Sequence, residues 1–235
     1  MTSSIGENNI HYLSDIIRKF RQTLAVRFER QSIVTVDNLV EFIQTRAVYV
    51  AQTSLYGYLK TRMGTRYREI FQDDKFVGSI DLAKWQVCAS CLADLTIFAV
   101  AHAGAGGALR DSQSASMARY CFENSVRQAF TECQDESLIA GFFSEFEVQI
   151  LRTQWDQAAE GENAFHKSPR DLIKWAPIAD ELKALDEEIV VNSTRFRWRD
   201  VRAQLRKRLD GPTVCGNWLD NFAPELDQST PGNAG

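Results

Sequence analysis

The chain has 235 residues, of which 44% are hydrophobic and 11% aromatic, and it carries a net charge of −4. That apolar content suffices for a packed core and excludes general disorder, and the mildly acidic balance argues against general nucleic-acid binding. With only 13 glycines and 5 prolines, it lacks the many turns that a β-sandwich or barrel requires.

Met1 to Asn9 is polar, a flexible N-terminus without the basic-then-apolar layout of a secretory signal. From Ile10 to Gln31, Leu13, Ile17, Phe20, Leu24 and Phe28 recur at three- and four-residue steps, which is an amphipathic helix. A second long helix is expected from Thr35 to about Phe71, with Leu39, Ile43, Ala47, Val50, Ser54 and Tyr58 on one stripe. Gly57 and Gly64 each cost about 1 kcal/mol relative to Ala inside a helix, so a kink or break is predicted near Gly64. Gln72 to Gly78 reads as a loop.

Ser79 is read as the cap of a third helix, Ile80 to about His102, which is apolar almost all round and ends in Gly104-Ala105-Gly106-Gly107. A fourth helix is expected from Asp111 or Ser112 to roughly Cys133, and a fifth from Ser137 to about Ala159. Ser168-Pro169 opens the next, with Pro at the first helical position, and Pro177 restarts or kinks a helix that runs to about Val191. Asn192 to Thr194 reads as a turn before a last helix, Arg195 to Leu209. From Gly211 to residue 235 the prolines and small residues predict a poorly ordered tail, in which Trp218 and Phe222 are possible anchors. The expected fold is all-α, a bundle of six to eight helices around the 80–102 helix. The expected organisation is one domain over residues 10–210, with a weak sub-boundary near 162.

Two basic surfaces stand out against the acidic background. The first runs from Tyr56 to Arg68, where Lys60, Arg62, Arg66 and Arg68 put four cations in nine residues, with Arg46 and Tyr49 nearby. Tyr56 with Lys60, and Tyr58 with Arg62, stand at i,i+4, so a ring can lie under each cation. Arg62 and Arg66 also stand one turn apart, a repulsion that an anionic partner or a carboxylate elsewhere in the fold removes. The second surface is Arg195-Phe196-Arg197-Trp198-Arg199 with Arg202. Seven cations against Asp200 and Asp210 give Asn192–Asp210 a local charge of +5. An acidic block, Asp180, Glu181, Asp186, Glu187 and Glu188, precedes it, and pairing of the two blocks across an antiparallel turn is the competing internal explanation. Either surface alone is also consistent with an ordinary solvated face.

The apolar helix from Trp85 to Leu109 is long enough to span a bilayer. Asp94 near its middle costs about 2.5–3.5 kcal/mol on insertion scales, so a buried bundle helix is the better reading. Asp94 then needs a partner, for which Arg46 and Arg119 are candidates. Cys88-Ala89-Ser90-Cys91 falls inside that helix and not at a helix start, where a redox CxxC belongs. The five cysteines form no disulfide framework, which favours a reducing cytoplasm. The histidines are isolated, and there is no HExxH, GxSxG or Walker A loop. His102 is expected to pack or cap, and no metal or cofactor is implied.

No motif in the chain identifies a family. The functional expectation is a non-catalytic cytoplasmic interaction module: an adaptor, assembly or regulatory factor. Its partner presents acidic or phosphorylated groups to Arg46, Tyr56, Tyr58, Lys60, Arg62, Arg66 and Arg68 on one side, and to Arg195, Trp198, Arg199 and Arg202 on another. The alternatives are peripheral binding to an anionic membrane through the 10–31 helix, which carries +3, or an enzyme acting on an anionic small molecule.

Overall fold

The computed structural model describes residues 31–64, 74–161 and 164–222, with Asp74 and Lys75 described by backbone alone. The 10–31 helix expected from the sequence, and with it the membrane-binding segment, lies outside the described residues, as do Arg66 and Arg68. Among the described residues the fold is all-α, with eight helices and no strand. They are α1 (Val36–Met63), α2 (Asp74–Ala103), α3 (Asp111–Ala129), α4 (Glu136–Arg152), α5 (Trp155–Glu160), α6 (Lys167–Trp175), α7 (Asp180–Arg208) and α8 (Gly211–Asn221).

The apolar character of α2 decides its place. Its Phe76–Ala103 stretch is long and apolar enough to cross a membrane by length and composition, yet 89% of its apolar window is buried inside the protein. Val87 to Ala101 is buried without interruption, Asp94 included. Arg119, one of the two arginines expected opposite Asp94, instead donates to Glu147 at 2.8 Å.

The chain groups into two compact units. The first takes its described residues from Thr45–Cys91 and His166–Arg199. Its core holds Ala47, Val50, Leu55 and Leu59 of α1, Ala83 and Val87 of α2, Leu172 of α6, and Val190 and Trp198 of α7. Trp198 donates its indole N–H to the buried Ser168 Oγ at 3.0 Å. Ser90 bonds the Asp171 carboxylate, tying α2 to α6.

The second unit takes Gln31–Gln44, Leu92–Phe165 and the chain from Asp200 onward. Aromatic pairs fill it: Phe122 stacks on Phe146 with centroids 3.9 Å apart, and Trp218 on Phe222 at 5.4 Å. Ile33 pairs with the chain after α7, donating to Arg208 O at 2.8 Å and accepting from Asp210 N at 3.0 Å.

Several boundaries differ from the sequence expectation, each for a local reason. The break at Gly64 is present: α1 stops at Met63, and Gly64 has φ 53°, a left-handed conformation that glycine adopts without penalty. The third helix starts at Asp74, not Ser79, so residues 74–78 are helical and not a loop. The expected fifth helix divides at Thr153, whose extended backbone (ψ 126°) ends α4 and lets α5 begin at Trp155. The expected turn at Asn192–Thr194 does not exist, and α7 runs through it unbroken. Thr194 donates its hydroxyl to Val190 O at 2.9 Å, and Arg197 reaches back to Ser193 O and Oγ. These polar side chains bond within their own helix and do not divert the backbone.

The start of the expected tail is likewise a helix. Asp210 caps α8 by accepting from Thr213 N at 3.2 Å, and Pro212 fits the first turn. Val214, Cys215 and Trp218 are buried, so residues 211–221 belong to the folded body.

Candidate functional site

The first unit contains a cleft of about 430 Å³ between α1 and α7. Ser54, Gly57, Tyr58, Thr61 and Arg62 follow one another at helical spacing along one face of α1. Asp186, Ile189, Val190, Ser193, Thr194 and Arg197 do the same on α7, and Leu172 of α6 closes one end. The first basic surface read from the sequence therefore looks into this cleft at Tyr58 and Arg62.

The cleft's charges are engaged within the unit. Arg62 donates through Nε and Nη2 to the two carboxylate oxygens of Asp186, a bidentate pair. That hydrogen-bonded pairing holds Asp186 below the usual carboxylate range and raises Arg62 further. Tyr58 lies against both, and burial first, then Asp186, pushes its pKa up to about 12. The phenol is therefore neutral and cannot serve as a base near neutral pH. The carboxylate that relieves Arg62 thus comes from the acidic block of α7. Arg197 passes above Gly57, with Nη2 3.9 Å from where a Cβ would stand.

The remaining expected contact residues divide by burial. Arg46, Tyr56 and Trp198 are buried (4%, 8% and 1% exposed), as is Tyr58, so none of the four belongs to an exposed contact surface. The tertiary packing takes almost every side of α1, so the two tyrosines fall inside though they point in different directions. Lys60, Arg195 and Arg199 are exposed. Arg199 lies over the Phe196 ring at 4.2 Å. Arg202, in the second unit, donates to Gly161 O at 3.0 Å and lies over Phe165 at 5.7 Å, a packing role.

Elsewhere the chemistry is muted. Cys88 and Cys91 are buried, and burial pushes the Cys88 thiol up to about 12. Burial likewise raises Cys121, and Cys215 to about 11. Among the described residues no group of three or more His, Cys, Asp or Glu is placed to hold a metal ion. His102 stacks on Phe98 at 5.7 Å, and burial, followed by the charge of Arg206, lowers its pKa and favours the neutral ring.

A feature the sequence reading missed runs along α7 beside the cleft, with Ile189 at the cleft's rim. Leu185, Ile189 and Phe196 are 74%, 70% and 56% exposed, and Leu182 is exposed beside them. Their spacing of three, four and seven residues places them on one stripe. The inward face is set by Val190, Thr194 and Trp198, all buried. Glu181, Glu188, Arg195 and Arg199, all exposed, flank the row along one side, and the exposed Asp200 continues in line with it. Comparison of the chain with family models, curated proteins and solved structures finds no match. The reading of this face therefore rests on its geometry.

Proposed function

We propose that the chain is a non-catalytic interaction module, an adaptor, assembly or regulatory factor, that docks an acidic partner segment on the outer face of α7. The observation that carries the reading is the exposed row Leu182, Leu185, Ile189 and Phe196. A single exposed leucine is ordinary, whereas four exposed apolar side chains on one stripe, broken only by Asn192 and flanked by charge, mark a contact surface. Burying one such side chain contributes about 1.5–3 kcal/mol, so the row supplies most of the affinity. Arg195 and Arg199 orient the partner and raise the association rate, and through that rate they add to the affinity.

The cleft supports binding over catalysis. Arg62 is neutralised by Asp186, Tyr58 is held protonated, and no nucleophile stands beside a base there. The basic surface of the sequence reading narrows in this account to Arg195 and Arg199, with Phe196 between them.

The test is a titration of a fluorescein-labelled acidic amphipathic peptide, with leucine along its seam and glutamate on its flanks, followed by anisotropy. Saturable binding is expected, weakening at least about tenfold in the Arg195→Glu/Arg199→Glu variant and weakening with added salt. Equal affinity of the variant and the parent would overturn the reading.

A further inference from the structure

We infer that the cleft between α1 and α7 binds a small amphiphilic carboxylic acid, whose head Arg197 grips and whose body lies against Leu172, Ile189 and Val190. The site is separate from the docking face proposed above, and either can fail without the other. Three observations point to it.

The first is an unspent cation. Two guanidiniums, Arg62 and Arg197, and one carboxylate, Asp186, line the cleft, so one positive charge is left over. Asp186 is engaged by Arg62, which holds both of its oxygens along the Nε–Nη2 edge. Arg197 donates through Nη1 to Ser193 O at 3.1 Å and to Ser193 Oγ at 2.6 Å. Its Nε and Nη2 donate to no group among the described residues, and together they make the same edge with which Arg62 holds a carboxylate. A planar guanidinium edge matches the two oxygens of a carboxylate in a bidentate pair. A phosphate monoester, with about −1.5 to −2 charge at pH 7, would bring excess negative charge beside Asp186 and fits less well.

The second is a hydroxyl. Thr61 and Thr194, both in the lining, donate to the carbonyl four residues back, Gly57 O and Val190 O, at 2.9 Å each. Ser54, also in the lining, is 5% exposed, and its Oγ meets no hydrogen-bond partner among the described residues. Buried hydroxyls are ordinarily satisfied, so this one is available to a polar group seated in the cleft.

The third is the glycine inside α1. Glycine is a poor helix former, and Gly57 is not among the glycines with positive φ. A Cβ there would meet only Arg197 Nη2, at 3.9 Å, an ordinary contact, so neither backbone nor clash demands glycine. What a larger side chain at Gly57 would take is the space of the cleft, which it lines. That space, about 430 Å³, falls in the range of small-molecule sites.

Titration of leucine-labelled protein with phenylpropionate to about 10 mM, followed in methyl spectra, tests the inference. The Leu172 methyls should shift and saturate while those of the exposed Leu185 stay in place. The neutral amide, phenylpropionamide, should bind at least about tenfold more weakly, and Arg197→Gln should weaken binding of the acid by a similar factor. Gly57→Leu, which fills the cleft with a better helix former, should abolish the Leu172 shift while Tm holds or rises. Equal binding of acid and amide, or undiminished binding by Arg197→Gln, overturns the carboxylate assignment. Shifts at Leu185 in place of Leu172 put the acid on the docking face and overturn the cleft as its site. Undiminished binding by Gly57→Leu, or no saturation across the titration, overturns it as well.

Discussion

Replacing Gly161 by alanine should cost much more than the same change at Gly107, although the two backbones are alike. Gly107 has φ 85° and Gly161 has φ 86°, both in the left-handed region. An alanine there carries an intrinsic penalty of about 1–2 kcal/mol at either site. The gain from restricting the unfolded chain, about 0.4–1 kcal/mol, also enters both and cancels in the comparison. The surroundings differ. A Cβ at Gly107 meets nothing within 4 Å, whereas at Gly161 it would stand 2.7 Å from Phe98 Cε2 and 3.1 Å from Arg202 Cδ. Phe98 cannot swing aside: it is fully buried, stacked on His102 and packed on Phe165 at 5.3 Å. Overpacking of this kind adds about 1–3 kcal/mol. At about 2–4 °C per kcal/mol for a chain of this size, Gly161→Ala should melt roughly 2–12 °C below Gly107→Ala. Urea and thermal unfolding followed by circular dichroism measure both. Equal losses would refute the packing described around Gly161.

Other expectations follow from the same geometry. His102 is held below its usual 6.5 by burial and by Arg206, so the unfolded chain takes up its proton first as pH falls. Stability contributed by the neutral ring is present above pH 6.5 and lost as pH falls toward the folded value, and His102→Gln should flatten stability against pH in that window. Asp186 is depressed by Arg62, so its contribution persists above the usual 3.8 and disappears only as pH falls below it. Arg62→Glu sets two anions together and should lower Tm, so Arg62 does not behave as a removable surface charge. Trp198→Phe removes the donor to Ser168 and should cost about 1–3 kcal/mol in urea unfolding. In thiol titration Cys133, the half-exposed cysteine, should react before the four buried ones, and all five only after denaturation.

The class of fold is legible in the sequence because its strongest signals are local. The 80–102 region is apolar on every side, and such a helix has nowhere to go but inside. Gly64 and Pro177 mark real interruptions. What failed was punctuation by polar residues: Asn192-Ser193-Thr194 and Asp210-Gly211-Pro212 look alike as breakers. One is absorbed by hydroxyls bonding within the helix, and the other caps a new helix. At the candidate site, charge could be read and burial could not. The sequence shows cations at Arg62, Arg195 and Arg199, but only tertiary packing engages Arg62 with Asp186 and leaves the other two exposed. Periodicity likewise marks Leu185 and Ile189 as an apolar face without saying that Val190 and Trp198 have already taken the core. An exposed stripe and a buried one carry the same pattern.

The central claim is that the outer face of α7 is a docking surface, and the methyl spectrum of leucine-labelled protein tests it most directly. On addition of the acidic peptide, the methyls of the exposed Leu185 should shift and saturate while those of Leu172, at the end of the cleft, and of the buried Leu39 stay in place. Saturable peptide binding that leaves Leu185 unmoved would contradict the claim.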